Sequence, residues 1–300
     1  MDSLRLKLLL VLLAGSAYGS SVVMARVALE EIDPYPLTVL RFAIAAIAYI
    51  AALLLWRKKL LTGRRKLLDI SLVGFFTTGL PLLLFFFALI YISSGMFSIL
   101  FATLPLFTGL LAHFFLSSEK LNKNLLIGLV VSLAGAAYLV STKTNGLIEG
   151  FNVKGPLITL VGILMIAGGT VYARARLSKE DPFVVSSLQT FAALILITAI
   201  VLALGKFKLD HISLKAWGAV AYNGLVGSFI AFWLSFVLIK KFGATTSALA
   251  SYVMPVVSSV LGVILLSEII SLSLVLGAII ILFGLFLALR KPAGGGEGRI

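Results

Sequence analysis

Long apolar runs separated by short charged stretches make up almost the whole of this chain. Apolar segments near 8–25, 35–56, 70–91, 95–116, 125–142, 155–173, 183–204, 216–239, 244–266 and 270–289 recur along it, free of Lys, Arg, Asp and Glu except for Arg41 in the second. Each approaches the length of a membrane-crossing helix, which takes about 20 residues at a rise of about 1.5 Å each. Residues 70–118 contain no Lys, Arg, Asp or Glu. As a single helix they would reach about 74 Å, more than twice the hydrocarbon core of a bilayer, so they must fold back. The turn belongs at "YISSG", 91–95, where serines and a glycine supply turn chemistry. The pattern predicts an all-α polytopic membrane protein with ten transmembrane helices.

Composition and charge agree with that reading. Of the 300 residues 60% are hydrophobic and only 12% charged, about half the charge of an ordinary soluble domain. Cysteine is absent, which removes disulfides, thiol nucleophiles and cysteine metal sites together. A net charge of +13 would suggest nucleic acid if it formed a patch, but the charges sit at span ends. They set orientation in a lipid bilayer, and no nucleic-acid partner is implied. With the amino terminus in the cytoplasm, 18 Lys and Arg fall inside, six outside, and Arg41 within a span. The positive-inside rule then puts both termini on the cytoplasmic side of the plasma membrane. Residues 1–20 resemble a secretory signal, but a matching first helix in the second half argues against cleavage.

The two halves repeat one another. Arg26, Asp33, Pro34 and Arg41 recur 148 residues later as Arg174, Asp181, Pro182 and Gln189, and Pro105 recurs as Pro255. Glu119, Gly128 and Gly135 recur as Glu268, Gly277 and Gly284, with spacings of nine and seven in both copies. Together, in order and at nearly constant offset, these matches indicate duplication. Residues 1–142 form the first five-helix repeat, 143–154 a linker, 155–289 the second repeat and 290–300 a flexible cytoplasmic tail. Five spans per half is an odd number, so the second copy enters the membrane inverted, an arrangement many secondary transporters use for alternating access.

The run "AGSAYGSSVVMARVAL…DPYPLTVLRFAIAA", the motif "PLFTGLLAHFFLSSEKLNKNLLIGLVVSLAGAAYLV" and its echo "MPVVSSVLGVILLSEIISLSLVLGAIIILFGLFLAL" resemble EamA-type members of the drug/metabolite transporter superfamily. The resemblance covers nearly the whole chain. It implies ten helices, two five-helix repeats around a central cavity, and movement of small metabolites, often outward. Amino-acid exporters are prominent among characterised relatives, and the superfamily also carries nucleotide sugars, sugar phosphates and drugs.

Arg41 is the one permanent charge inside a span, about 9 Å from its outer end. Three readings stand. It reaches the outer headgroups or pairs with Glu30, Glu31 or Asp33; it faces the cavity and receives an anionic group such as a substrate carboxylate; or it braces neighbouring helices. The Arg41–Phe42 pair resembles the family's second-helix motif, while its mate Gln189 is neutral. Pro105 and Pro255 fall near the middle of their spans, and interrupted helices at matching positions point to a transporter's binding site; a packing kink is the alternative. Pro81 has no proline counterpart and reads as a local kink. His113 is the only histidine in a span, with either a structural hydrogen bond or a proton-coupling role. Glu119 and Glu268 close the fourth and ninth spans as helix-end groups or gates. Tyr18, Tyr172, Asn223, Trp233 and Tyr252 are the remaining candidates to project inward. "LLLFFFAL", 82–89, cannot turn all three phenylalanines to one face, and Gly15 and Gly19 predict close packing of the first span.

The rival classes have less support. No paired carboxylates fall at mid-span, the two histidines lack metal-ligand spacing, and there is no Walker motif. No serine has an evident base beside it in sequence, although a spatial pair stays open. An enzyme is therefore the least supported class, and a lipid translocator stays as an alternative. The sequence implies a secondary transporter of a small molecule, with no cofactor and no metal, and it assigns no oligomeric state.

Overall fold

The computed structural model of the chain describes residues 3–58, 60, 63–92, 97, 100–141, 154–209, 211–266 and 272–289. All regular structure among them is helical. Helix α1 spans Ser3–Ala28 and α2 spans Pro34–Leu55. Helix α3, Arg64–Tyr91, is one rod with a π-helical stretch at Gly74–Gly79. Helices α4 and α5 follow at Leu104–Phe115 and Lys123–Ser141. Helices α6 and α7 occupy Lys154–Leu177 and Pro182–Ala203. Helix α8, Leu214–Phe242, carries a second π-helical stretch at Leu225–Ile230. Helix α9, residues 244–266, joins Ala244–Ala248 to Val253–Leu266 through a 3-10 turn at Leu249–Tyr252. Helix α10 spans Leu272–Leu289.

Among the described residues seven helices are long and apolar enough to cross a membrane: α1, α2, α3, α6, α7, α8 and the Ala244–Leu261 stretch of α9. Leu104–Phe115, Lys123–Gly135 and Ile279–Ala288 are shorter apolar helices. The expected linker 143–154, apart from Lys154, lies outside the described residues, as do Glu268, the tail 290–300 and the 93–95 part of the expected turn.

Equivalent residues of the two halves do equivalent structural work. Asp33-Pro34 and Asp181-Pro182 start α2 and α7, the aspartates extended at ψ 152° and 122° and the prolines in the first turn. Proline fits there because its missing N–H would have had no partner in the helix. Asp181 Oδ1 also accepts hydrogen bonds from the Phe183 and Val184 N–H groups at 2.8 and 3.3 Å, a cap that Asp33 does not make. At the other end of α1, Arg26 Nη1 donates to the Leu89 and Ile92 carbonyls, 2.8 and 3.3 Å, closing the end of α3. Arg174, at the end of α6, does the same for α8 through the Ile239 and Lys240 carbonyls at 2.8 and 2.9 Å. Cationic side chains satisfy the carbonyls that a helix terminus leaves open.

Glycines set how close helices come. A Cβ on Gly15 would lie 2.5 Å from Val253 Cβ, and one on Gly19 would lie 2.9 Å from Val257 Cβ, so α1 and α9 touch backbone to side chain. A Cβ on Gly128 would meet Ala288 Cβ at 2.6 Å, and one on Gly135 would meet Ile280 Cγ2 at 2.8 Å. Helices α5 and α10 are thus drawn together from opposite halves, and Ser132 Oγ donates to the Ile281 carbonyl at 3.1 Å across that contact. Small residues at such contacts replace a hydrophobic driving force that lipid does not supply.

The charged loops gather at two ends of the bundle. Lys58 pairs with Asp181 at 2.6 Å and Lys66 pairs with Glu180 at one end. At the other, Lys215 pairs with Glu30 at 3.1 Å, and the Ser213 N–H and hydroxyl both donate to Glu31 at 2.7 Å.

Candidate functional site

A cavity of about 150 Å³ lies between α1, α2, α3, α6, α7, α8 and α9. Most of its wall comes in pairs separated by 148 or 150 residues, Ser21, Val73, Thr77, Thr78, Ala248 and Ala250 standing outside the pairing. Helices α1 and α6 contribute Tyr18 with Ile166, Val22 with Thr170 and Ala25 with Ala173. Helices α2 and α7 contribute Arg41 with Gln189. Helices α3 and α8 add Leu82 with Phe232, Phe85 with Ser235, and Leu89 with Ile239. The segments before Pro105 and Pro255 supply Phe101 with Ser251 and Leu104 with Met254, and Phe97 pairs likewise with Ser247.

The pairs differ in chemistry. From the first half, Phe85, Phe97 and Phe101 form one aromatic cluster, with ring centroids 5.2, 5.3 and 5.6 Å apart. Their counterparts are the hydroxyls Ser235, Ser247 and Ser251. Ser235 Oγ shares a hydrogen bond with the Tyr18 hydroxyl at 2.8 Å, and Ser247 Oγ donates to the Ser235 carbonyl at 3.2 Å. Ser251 Oγ is buried without a hydrogen-bond partner.

Arg41 is 4% exposed, and its partners are neutral oxygens of α8. Nε donates to Ser228 Oγ at 2.7 Å, Nη1 to Asn223 Oδ1 at 2.8 Å and Nη2 to the Gly227 carbonyl at 2.7 Å. The Phe86 ring centroid lies 5.9 Å from its guanidinium carbon. Asn223 is oriented for this by Ser21, whose hydroxyl donates to the same Oδ1 at 2.7 Å, while Asn223 Nδ2 donates to the Ala219 carbonyl at 3.0 Å. The π-helical stretch supplies the acceptors: its widened turn gives the Gly227 carbonyl to Arg41 and the Phe229 carbonyl to the Tyr49 hydroxyl at 2.8 Å. On the opposite side Gln189 Oε1 accepts from Thr78 Oγ1, 3.2 Å, in the π-helical stretch of α3. The second helix of each half therefore packs on the π-helical stretch of the other.

A guanidinium stays protonated even here, so its charge is buried beside an apolar cavity. Among the described residues the ion pairs are Lys58–Asp181, Lys66–Glu180, Arg174–Glu119 and Lys215–Glu30, none of them at Arg41. Three hydrogen bonds to dipoles offset part of the desolvation, which costs several kcal/mol for a buried ion. They bring no compensating negative charge.

The other expected residues lie away from the cavity wall. Asn223 stands one layer behind it, as the brace of Arg41. Pro105 and Pro255 are in the first turns of Leu104–Phe115 and Val253–Leu266, just past the residues that do line it. Tyr252 donates its hydroxyl to the Leu129 carbonyl at 3.1 Å. Tyr172 donates to Asp69 Oδ1 at 2.6 Å. Trp233 packs against Trp56 and Phe183 at centroid distances of 5.7 and 5.5 Å. His113 Nδ1 accepts from the Leu121 N–H at 3.2 Å, in the loop that follows α4. Glu119 accepts from the N–H groups of Ala244 and Thr245 at the start of α9.

The EamA-like transporter family profile matches residues 5–141 and 153–290. The chain belongs to the EamA-like transporter family. It is 24% identical over 284 residues to the uncharacterized transporter YoaV of Bacillus subtilis, covering 90% of this chain and 92% of that one. It is 28% identical over 251 residues to the uncharacterized inner membrane transporter YedA of Escherichia coli K12, covering 82% and 78%. A solved structure described only as a crystal structure of a protein shares the fold of this EamA-like chain, with a TM-score of 0.77 at 22% identity over 95% and 98% of the two chains. The EamA-like chain is thus an all-helical, multi-pass membrane protein of a transporter family.

Proposed function

We propose that this protein is a secondary transporter that moves small metabolites by alternating access, exporting amino acids or related compounds across the plasma membrane. In this reading ten spans form two inverted five-helix repeats, and both termini are cytoplasmic. The observation that carries it is the cavity wall built from pairs of residues 148 or 150 positions apart. With walls drawn from both halves, rocking one half against the other would change access to the same site without dismantling it. The turn at 102–103 just ahead of Pro105 and the 3-10 turn Leu249–Tyr252 just ahead of Pro255 support it further, since a broken helix presents backbone and small polar groups to a solute.

Counterflow in proteoliposomes tests the reading. Vesicles loaded with a mixed amino-acid pool should accumulate individual labelled amino acids, and empty liposomes should not. Absence of accumulation with folded, incorporated protein would remove amino acids as the cargo.

A further inference from the structure

The cavity has a composition that narrows its cargo. Among the described residues that line it, Arg41 carries the only formal charge, and no lining residue is acidic. Each Nη of Arg41 has a second N–H beyond the one used on Asn223 or Gly227. The Ser251 hydroxyl, 2% exposed and without a partner, belongs to the same wall. Against these stand the rings of Phe85, Phe97 and Phe101. A volume of about 150 Å³ matches the engineered apolar cavity that takes up benzene.

We propose that the site selects a small organic monoanion. Arg41 receives its carboxylate, Ser251 supplies a further hydrogen bond, the Phe85–Phe97–Phe101 cluster holds an apolar body about the size of a benzene ring, and no ammonium group is needed. A single carboxylate neutralises the buried guanidinium and offers it the bidentate acceptor its planar fork fits. A dianion would leave one charge uncompensated in a low-dielectric pocket. With no acidic lining residue to meet it, an ammonium group adds nothing to recognition, and in an amino acid too the carboxylate would carry the binding. The inference rests on the transporter reading for the claim that the bound anion is cargo.

The test is calorimetric titration of the purified full-length protein in lipid nanodiscs. The probes are benzoate, benzyl alcohol and benzylamine, then 3-phenylpropionate against L-phenylalanine. Benzoate should bind about tenfold or more tighter than benzyl alcohol or benzylamine, the span of one charged hydrogen bond. The propionate should bind at least as tightly as the amino acid. Arg41→Gln should abolish the preference for benzoate over benzyl alcohol, bringing their affinity ratio to about one; a purely structural arginine would weaken both alike and leave the ratio as it was. The ligand pairs on the unsubstituted protein decide the matter if that variant does not fold. Benzoate binding no tighter than benzyl alcohol, or L-phenylalanine preferred about tenfold over 3-phenylpropionate, overturns the proposal. Proteoliposome counterflow separates the two claims. Benzoate bound but never exchanged supports the anion site and overturns transport of it, whereas amino-acid exchange without benzoate binding supports transport and overturns the anion site.

Discussion

Glu119 and Arg174 meet at 3.1 Å, and between them they tie together four helices at one end of the bundle. The Glu119 carboxylate caps α9 by accepting from Ala244 N–H at 2.8 Å and Thr245 N–H at 3.0 Å. Arg174 of α6 meanwhile closes the end of α8. A charged cap is worth more than a neutral one because the helix start carries partial positive charge. Glu119→Gln removes the ion pair and turns an amide group toward N–H donors. It should cost about 1–3 kcal/mol, read as a lower unfolding temperature in detergent. Arg174→Ala should cost a similar amount, and the double variant less than the sum of the two, because both act on one network. Additive losses would show that the pair is not coupled.

Two glycines of the bundle should respond oppositely to the same change. Gly15 of α1 has Val253 in the space a methyl group would need, whereas Gly168 of α6 has nothing within 4 Å. Alanine stabilises a helix relative to glycine by about 0.5–1 kcal/mol when nothing obstructs it. Gly168→Ala should therefore hold or raise the unfolding temperature, and Gly15→Ala should lower it as α1 is forced off α9. Equal effects at the two positions would refute the close approach of α1 and α9.

Two surface carboxyls predict how stability varies with pH. Glu31 is held below its ordinary value of 4.5 by the Ser213 N–H and then the Ser213 hydroxyl. At Asp181 partial burial works to raise the value, but the Lys58 ammonium and the N–H groups of Phe183 and Val184 outweigh it and hold the carboxyl below 3.8. A carboxyl whose folded value is depressed stabilises the fold above its unfolded value and loses that contribution as pH falls through the folded one. Stability should thus be nearly level from neutral pH to about 5 and fall below about 4, more weakly at high salt because both groups are exposed to screening. Unfolding temperatures measured down that range test this, and Asp181→Asn should flatten the acid limb.

Much of this was legible in the sequence because helix ends are written locally. Asp-Pro at 33–34 and 181–182 marks the starts of α2 and α7, and the apolar runs 35–56 and 183–204 fall within a residue of Pro34–Leu55 and Pro182–Ala203. The phenylalanine run divides as geometry requires: Phe85 and Phe86 line the cavity, and Phe87 packs on Tyr35 with ring centroids 4.9 Å apart. The π-helical stretches carry no comparable signal, since neither holds a proline and their glycines resemble many others in the chain. Without them the acceptors of Arg41, Ser228 and the Gly227 carbonyl, could not be named. Helix rotation was equally hidden: it puts Asn223 behind Arg41 and turns Ser251, not Pro255, to the cavity. The division of the cavity walls, by contrast, is written in the sequence. Shifting α3 and the residues before Pro105 by 150 positions pairs Phe85 with Ser235, Phe97 with Ser247 and Phe101 with Ser251, which separates the aromatic wall from the hydroxyl wall without any coordinates.

The loop contacts lead to a test of topology. Lys58 and Lys66, on either side of the α2–α3 connection, hold Asp181 and Glu180 between α6 and α7, so those connections share one face. Glu30 and Glu31 hold Lys215 and Ser213, which puts the α1–α2 and α7–α8 connections together on the other face. Lysine and arginine abound at the first face, so the positive-inside rule predicts that it faces the cytoplasm. The chain has no cysteine, and single cysteines can therefore report directly. Arg64→Cys and Lys179→Cys should react with a membrane-impermeant maleimide only after cells are permeabilised, whereas Lys206→Cys should react on intact cells. The reverse pattern would invert the orientation and the direction of the proposed export. Labelling of Lys179→Cys and Lys206→Cys from one side would mean that α7, the 22-residue helix between them, does not cross the membrane.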